Sequence, residues 1–328
     1  EVLRLALAAI VGVITVEELG VGHADITSTL LQGILDLVHR YGDGIEFGVI
    51  AMGRYGGREL GFGSDADVMY VYRPAGASEE EAQSTAERIV HELNRLTEDL
   101  RLPLDLDTGL RPEGRNGAVV RSLESYRAYY ARWSLTWEAQ ALLRARGGAG
   151  DPALLDAFTE LADQTRYPRT ISAADVREVR RIKARMESER LPRGADPSRH
   201  LKLGRGSLSD VEWFVQLLQL QYAARLPELR TTSTLRALAA GTEAGLVAPA
   251  DAEQLRTAWL IASRARSAMT LWTAKTADVL PTDRRALEGV TRLMEYPPGS
   301  ASRLEEDYLR ATRHARQVFE RAFYGPGI

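Results

Sequence analysis

At 328 residues, 45% of them apolar, the chain is longer than one core ordinarily supports, so it is read as two domains. A net charge of −3 lacks the strongly basic footprint of a nucleic-acid binder. The absence of cysteine excludes disulfides and thiolate metal sites.

The chain opens on an uncharged, mostly apolar run from Leu5 to Val16. It has the length of a signal-peptide core but neither a basic approach nor a cleavage site, and it is too short to span a bilayer. It is read as a buried amphipathic or core helix with no membrane partner. Phe47 to Met52 is a partly β-branched apolar run that predicts a buried strand. It feeds the glycine-rich turn Gly53-Arg54-Tyr55-Gly56-Gly57. A second strand, Val68 to Tyr72, ends at Pro74-Ala75-Gly76, and at its mouth stand Asp65 and Asp67. Alternate side chains of a strand share a face, so these two carboxylates project the same way and can hold a cation between them. A glycine turn that offers backbone N–H groups to phosphates beside such a pair is how a metal-dependent phosphoryl or nucleotidyl transferase begins.

A helix follows, with Ser78 and Glu81 spaced as a capping box and Ile89, Val90, Leu93, Leu96 and Leu100 as its apolar stripe. Leu102 to Asp107 then alternates as a strand and supplies the third carboxylate, Asp107, ahead of the turn Arg111-Pro112-Glu113-Gly114, where Arg111 can meet phosphate. Trp133 and Trp137, one helical turn apart, are read as core anchors. After Gly147-Gly148-Ala149-Gly150-Asp151-Pro152 the period becomes helical. Val176, Val179, Ile182 and Met186 form one stripe, and Val211, Phe214, Val215 and Leu218 another. Further helices are predicted near 252–275, 283–294 and 303–324, bounded by Pro281, Pro297-Pro298-Gly299 and Gly325-Pro326, which makes a helical bundle.

Two readings stand side by side for Lys202, Arg205, Asp210 and Glu212. Either the cations sit in a solvated loop and the acids serve the first turn of the next helix, or the Gly204-Arg205-Gly206 turn folds onto the catalytic face. The same pair of readings applies to Arg144 and Arg146. The histidines His23, His39, His91, His200 and His314 are scattered without metal-ligand spacing. The glycine turn matches neither the Walker nor the dinucleotide pattern, which removes kinase and dehydrogenase readings.

Four motifs, in order, resemble the bacterial glutamine synthetase adenylyltransferases, members of the DNA-polymerase-β-like nucleotidyltransferases. They are Gly-x-x-Gly-Gly-Arg-Glu-Leu-x-x-x-Ser-Asp-x-Asp at 53–67, Asp-x-x-Leu-Arg-Pro-x-Gly at 107–114, Thr136-Trp137-Glu138-x-Gln140-Ala141-Leu142-x-Arg144-Ala145-Arg146, and Lys202-Leu203-Gly204-Arg205-Gly206-x-x-x-Asp210-Val211-Glu212-Trp213-x-Val215-Gln216. The family carries two transferase units. Gly61-Phe62-Gly63-Ser64-Asp65 and Leu135-Thr136-Trp137-Glu138-Ala139-Gln140 look like the adenylylating, carboxy-terminal one, and a start at Glu1 without methionine suits a fragment of a longer protein. Two departures are Gly206-Ser207-Leu208 where the family often has Gly-Gly-Ile, and Arg54 where it has Lys.

The resemblance implies an α+β fold: a polymerase-β-like domain with a small mixed sheet flanked by helices over 1–150, and an all-α bundle over 151–328. It implies that Asp65, Asp67 and Asp107 hold two Mg²⁺ ions with ATP, one lowering the pKa of the attacking hydroxyl and the other neutralising the departing pyrophosphate. Gly53, Gly56, Gly57 and Ser64 would meet the outer phosphates, with Arg54, Arg111, Arg144, Lys202 and Arg205 as the cations of the nucleotide site. The acceptor would be a tyrosine of glutamine synthetase, with a PII-type signal protein and glutamine as effectors of the full-length enzyme. Together with the reading of the amino-terminal run as a buried helix, the resemblance implies a cytoplasmic protein. Alternatives are a transferase acting on another acceptor, such as the PII-type protein or a small molecule, and a non-catalytic regulatory module.

Overall fold

The computed structural model describes residues 1–38, 44–98, 104–133, 136–192, 194 and 196–325. His39, Leu100, Leu102, Pro103, Leu135 and Pro326, and the side chain of Trp133, lie outside what it describes. By contact the chain forms two compact units, Gly20–Leu60 with Ser64–Pro168, and Glu1–Leu19 with Gly61–Gly63 and Arg169–Ile328.

The first unit is built on a mixed sheet in the order β3-β2-β1-β5, with β4 also paired to β2. Strand β1 (Ile45–Ala51) is buried at all but one position, which is why its sequence runs apolar instead of alternating. It pairs antiparallel with β2 (Ala66–Pro74) and with β5 (Arg146–Gly150). Both faces of the sheet are covered. Phe47, Val49 and Ala51 with Val68, Tyr70 and Tyr72 pack with helices α2 (Val16–Val38) and α4 (Glu79–Glu98). Ile50 and Met52 with Met69 and Val71 pack on the other side with residues of α5 (Leu123–Trp133), α6 (Thr136–Leu142) and α7 (Pro152–Arg166). The two-residue period of β2 gives Asp67 the face of Met69 and Val71.

The capping box before α4 forms: Ser78 N donates to Glu81 Oε2 at 3.0 Å and Glu81 N to Ser78 Oγ at 3.3 Å. Ile89, Val90 and Leu93 are buried as their stripe requires. The strand expected through Asp107 is only β3 (Leu106–Asp107), parallel to β2. Strand β4 (Val120–Ser122) takes the adjoining stretch of the same edge, Tyr70 to Tyr72. The sequence division at 150/151 falls between β5 and α7, which both belong to this unit.

The second unit is helical: α8 (Ala173–Glu189), α9 (Leu208–Tyr222), α10 (Thr234–Glu243), α11 (Pro249–Thr273), α12 (Arg284–Leu293) and α13 (Ala301–Phe323). Its buried set includes Val211, Phe214, Val215 and Leu218 of the expected stripe, with Leu255, Trp259, Leu304, Tyr308 and Phe319. The amino-terminal run follows the amphipathic and not the core alternative, since Val2, Leu5, Ala6, Ala9 and Ile14 pack in one apolar cluster with Leu19 and Phe62. It makes α1 (Val2–Ile10), in which Ala6 alone is buried and Leu3 and Leu7 are exposed. A break at Gly12, with φ of +67°, separates α1 from α2. Among the described residues no helix is long and apolar enough to cross a membrane.

Candidate active site

The first unit brings the three predicted carboxylates together. The antiparallel register of β1 and β2 sets Ala51 beside Val68, so the glycine turn leaving β1 lies at the mouth of β2. Met52 N donates to Asp67 O at 2.8 Å and closes that junction. On the opposite edge of β2 the parallel pairing with β3 sets Asp67 against Asp107. Carboxylate oxygens of Asp65, Asp67 and Asp107 all lie within 4.8 Å of one another, and Asp67 and Asp107 are half-buried. Three like charges at that spacing repel, and a hard divalent cation with oxygen ligands is the group that relieves them.

The surrounding backbone is shaped to this trio. Asp107 Oδ1 accepts from Gly109 N at 2.7 Å, which fixes its rotamer through a local side-chain turn. Gly53 has φ of +49°, and a Cβ built there would fall on the Asp67 carboxylate. Ser64 Oγ, next to Asp65, is buried without a hydrogen-bond partner among the described residues. A buried hydroxyl left unpaired costs free energy unless something completes it, and a phosphate oxygen is one such acceptor. The donor set, the side-chain-free space at Gly53 and the orphaned hydroxyl together fit a divalent cation with a polyphosphate.

The other predicted phosphate contacts are placed differently. Gly56 and Gly57 belong to a short helical turn, α3 (Gly53–Gly56) and its cap, in which Gly57 N donates to Gly53 O at 3.0 Å. A Cβ on Gly56 would collide with the carbonyl oxygen of Arg144, so its bareness serves packing. Arg54 Nε donates to Glu59 O at 2.9 Å. Arg111 is buried, and its guanidinium donates to Thr108 O, Thr108 Oγ1, Arg115 O and Gly117 O. It therefore staples the loop that follows Asp107. Arg144 is buried in an ion pair with Glu59, and Arg146 lies over the Tyr55 ring.

Lys202 and Arg205 are in the second unit, on the turn before α9, half-buried and exposed respectively. Asp210 follows the capping reading, since its Oδ2 accepts from Gly206 N at 2.6 Å. It also receives Lys183 Nζ at 2.6 Å and Arg316 at 2.9 Å. Trp137, expected in the core, is half-buried.

Residues with no role assigned from the sequence complete the first unit's polar framework. Buried Glu138 accepts from Tyr129 Oη at 2.8 Å and from Glu113 N at 3.4 Å. Burial, reinforced by that carboxylate, pushes the Tyr129 phenol up to about 12. Arg121 pairs with Glu113 at 2.5 Å and lies 5.4 Å from the centre of the Tyr129 ring. Glu138, Tyr129 and Arg121 thus brace the loop that begins at Asp107. The only sequence signal was the motif position of Glu138, which says nothing about a partner.

Comparison with known proteins shows what the chain is similar to. Residues 1–161 match the family model for glutamate-ammonia ligase adenylyltransferase, and residues 177–323 match that for GlnD PII-uridylyltransferase. A curated bifunctional glutamine synthetase adenylyltransferase/adenylyl-removing enzyme of Leifsonia xyli is 66% identical over 99% of this chain and 33% of its own length. Relatives of the same name from Streptomyces avermitilis and Mycobacterium tuberculosis are 51% and 46% identical over 94% and 98% of the chain, and 32% and 34% of theirs. The chain thus spans about a third of the length of the curated relatives it matches, and it belongs to the glutamine synthetase adenylyltransferase family.

Proposed function

We propose that this chain carries the adenylyl-transferring centre of such an enzyme, moving AMP from ATP to a tyrosine hydroxyl of glutamine synthetase in the bacterial cytoplasm. The observation that carries the reading is the Asp65, Asp67 and Asp107 cluster, with oxygens within 4.8 Å, at the end of a glycine turn. The motif Gly61-Phe62-Gly63-Ser64-Asp65 supports the adenylylating rather than the removing unit. A PII-type protein and glutamine are proposed as effectors of the longer enzyme.

The three aspartates would hold two Mg²⁺ ions together with the nucleotide. Divalent ions there would supply neutralisation of triphosphate charge and a lowered pKa for the attacking hydroxyl. The chain's residues do the rest. Asp107, fixed by Gly109 N, and Asp67, accommodated by Gly53, keep their oxygens convergent. Ser64 Oγ donates to a phosphate oxygen. A bond forms between the tyrosine oxygen and the α-phosphorus, the α–β bridging P–O bond breaks, pyrophosphate leaves, and the phenolic proton passes to solvent.

The test is intact-mass measurement of purified glutamine synthetase after incubation with this chain, ATP and Mg²⁺. One AMP per modified tyrosine is expected. Asp65→Asn and Asp67→Asn should each slow transfer about a thousandfold, the loss of roughly 4 kcal/mol of transition-state charge stabilisation. Their melting temperature in metal-free buffer should stay level or rise, because a repulsive charge is removed. Undiminished transfer in both variants refutes the assignment, and transfer only from UTP or only to a PII-type protein identifies a different transferase.

A further inference from the structure

Arg144 and Glu59 meet in the first unit across 85 residues of sequence, Arg144 donating to Glu59 Oε2 at 2.7 Å. Their side chains are 5% and 6% exposed. We propose that Arg144, through Glu59, is a positioning residue that sets the glycine turn against the Asp67 carboxylate, and that it does not bind the nucleotide phosphates. The inference rests on the reading of this turn as part of the nucleotide site.

Residue 144 grips the turn at two places. Its guanidinium holds Glu59 at the turn's exit, and its carbonyl oxygen occupies the space that a side chain on residue 56 would need. Arg146 adds a third hold, donating to Gly56 O and Tyr55 O at 3.2 Å each and lying 5.1 Å from the centre of the Tyr55 ring. The exit is tied back on itself as well, since Glu59 N donates to Arg54 O at 2.8 Å and Arg54 Nε returns to Glu59 O. With Gly56 and Glu59 clamped, the other end of the turn is Gly53, whose bare Cα adjoins the Asp67 carboxylate. A shift of the turn therefore moves backbone against a metal ligand. A phosphate-binding arginine has to present its guanidinium to the ligand, whereas Arg144 is buried with its Nη1 on a carboxylate. Buried ion pairs of this kind add little net stability, and their best-attested use is to fix register.

The test is a double-mutant cycle of Glu59→Gln and Arg144→Gln, with Arg144→Lys as the conservative variant. It is read by AMP-transfer kinetics and by amide hydrogen exchange of residues 53–60 in the protein without nucleotide. Each single variant should lower kcat about 10- to 100-fold with little change in KM for ATP. The double variant should be no worse than the worse single, because both remove one interaction. Exchange of 53–60 should speed up in both singles, and Arg144→Lys, which keeps the charge, should recover part of both losses.

The proposal is overturned if Glu59→Gln leaves the kinetics unchanged while Arg144→Gln raises KM for ATP alone, the behaviour of a phosphate ligand. It is equally overturned if exchange of 53–60 is the same in all variants. The exchange arm needs no catalysis. Should the chain transfer no AMP at all, faster exchange in the variants would still uphold the clamp while the enzyme reading fell. Should Arg144→Gln fail to fold, Glu59→Gln and Arg144→Lys supply the same comparison.

Discussion

At Gly53 the backbone sits in the left-handed region, and a methyl group there would lie on the Asp67 carboxylate. Gly53→Ala therefore meets two penalties: roughly 1–2 kcal/mol for an L-residue in that conformation, and displacement of a proposed metal ligand. A shift of about 1 Å at reacting groups is worth about a hundredfold in rate. Transfer by Gly53→Ala should fall by about that factor, with weaker Mg²⁺ dependence, measured by AMP incorporation against metal concentration. A variant with wild-type rate and metal dependence would remove Gly53 from the site. Of the carboxylates, Asp67 was legible from strand parity, whereas Asp65 lies just before β2 and Asp107 is brought alongside by a parallel pairing that the sequence did not specify. The arginines were less legible. Arg111 and Arg144 have the charge and motif position of phosphate ligands, but one staples a loop and the other pairs with Glu59, and residue type does not name a partner.

Elements with a long apolar period were read well, and the short ones were not. Helices α11, α12 and α13 lie close to their expected spans because Pro and Gly punctuate them, whereas β3, two residues long, is defined by its partner β2 and not by its own alternation. The turn before α9 shows what periodicity misses. His200 is buried there, and its Nδ1 accepts from Lys202 N at 3.3 Å and Leu203 N at 3.0 Å. Burial lowers its pKa, Arg266 and Lys202 act in the same sense, and Asp278 opposes them. In the unfolded chain the imidazole takes a proton near pH 6.5, while the folded state, with its lowered pKa, resists. Between those two values the unfolded state binds more protons, so stability falls as pH drops below about 6.5. Thermal melts from pH 7.5 to 5 at constant ionic strength should show that decline, and it should flatten in His200→Gln. An equal decline in that variant would assign the effect to other groups.

Across the whole molecule, composition and punctuation were enough to foresee a part with strands and a helical part, because each needs its own apolar core, while the small mixed sheet was expected only from the family resemblance. What they hid is how much charge the helical unit buries. Lys183 is wholly inaccessible, one residue along from the expected stripe position Ile182. Its Nζ reaches Asp210 at 2.6 Å, Glu187 at 2.9 Å and Ser209 Oγ at 2.9 Å, while Arg316 pairs with the same two carboxylates. The network joins α8, α9 and α13, so it fixes which faces of those helices meet. Removing one partner of such a set leaves carboxylate charge buried and underpaired, at a cost of about 3–5 kcal/mol. Lys183→Met should therefore lower the free energy of unfolding by that amount in a denaturant titration, with amide protection lost across α8, α9 and α13. Arg181→Met, which breaks an exposed pair with Glu178 on the same helix, should leave the unfolding midpoint where it was. If Lys183→Met matched Arg181→Met in both measurements, the buried charges would be dispensable, and apolar packing alone would set the arrangement of the three helices.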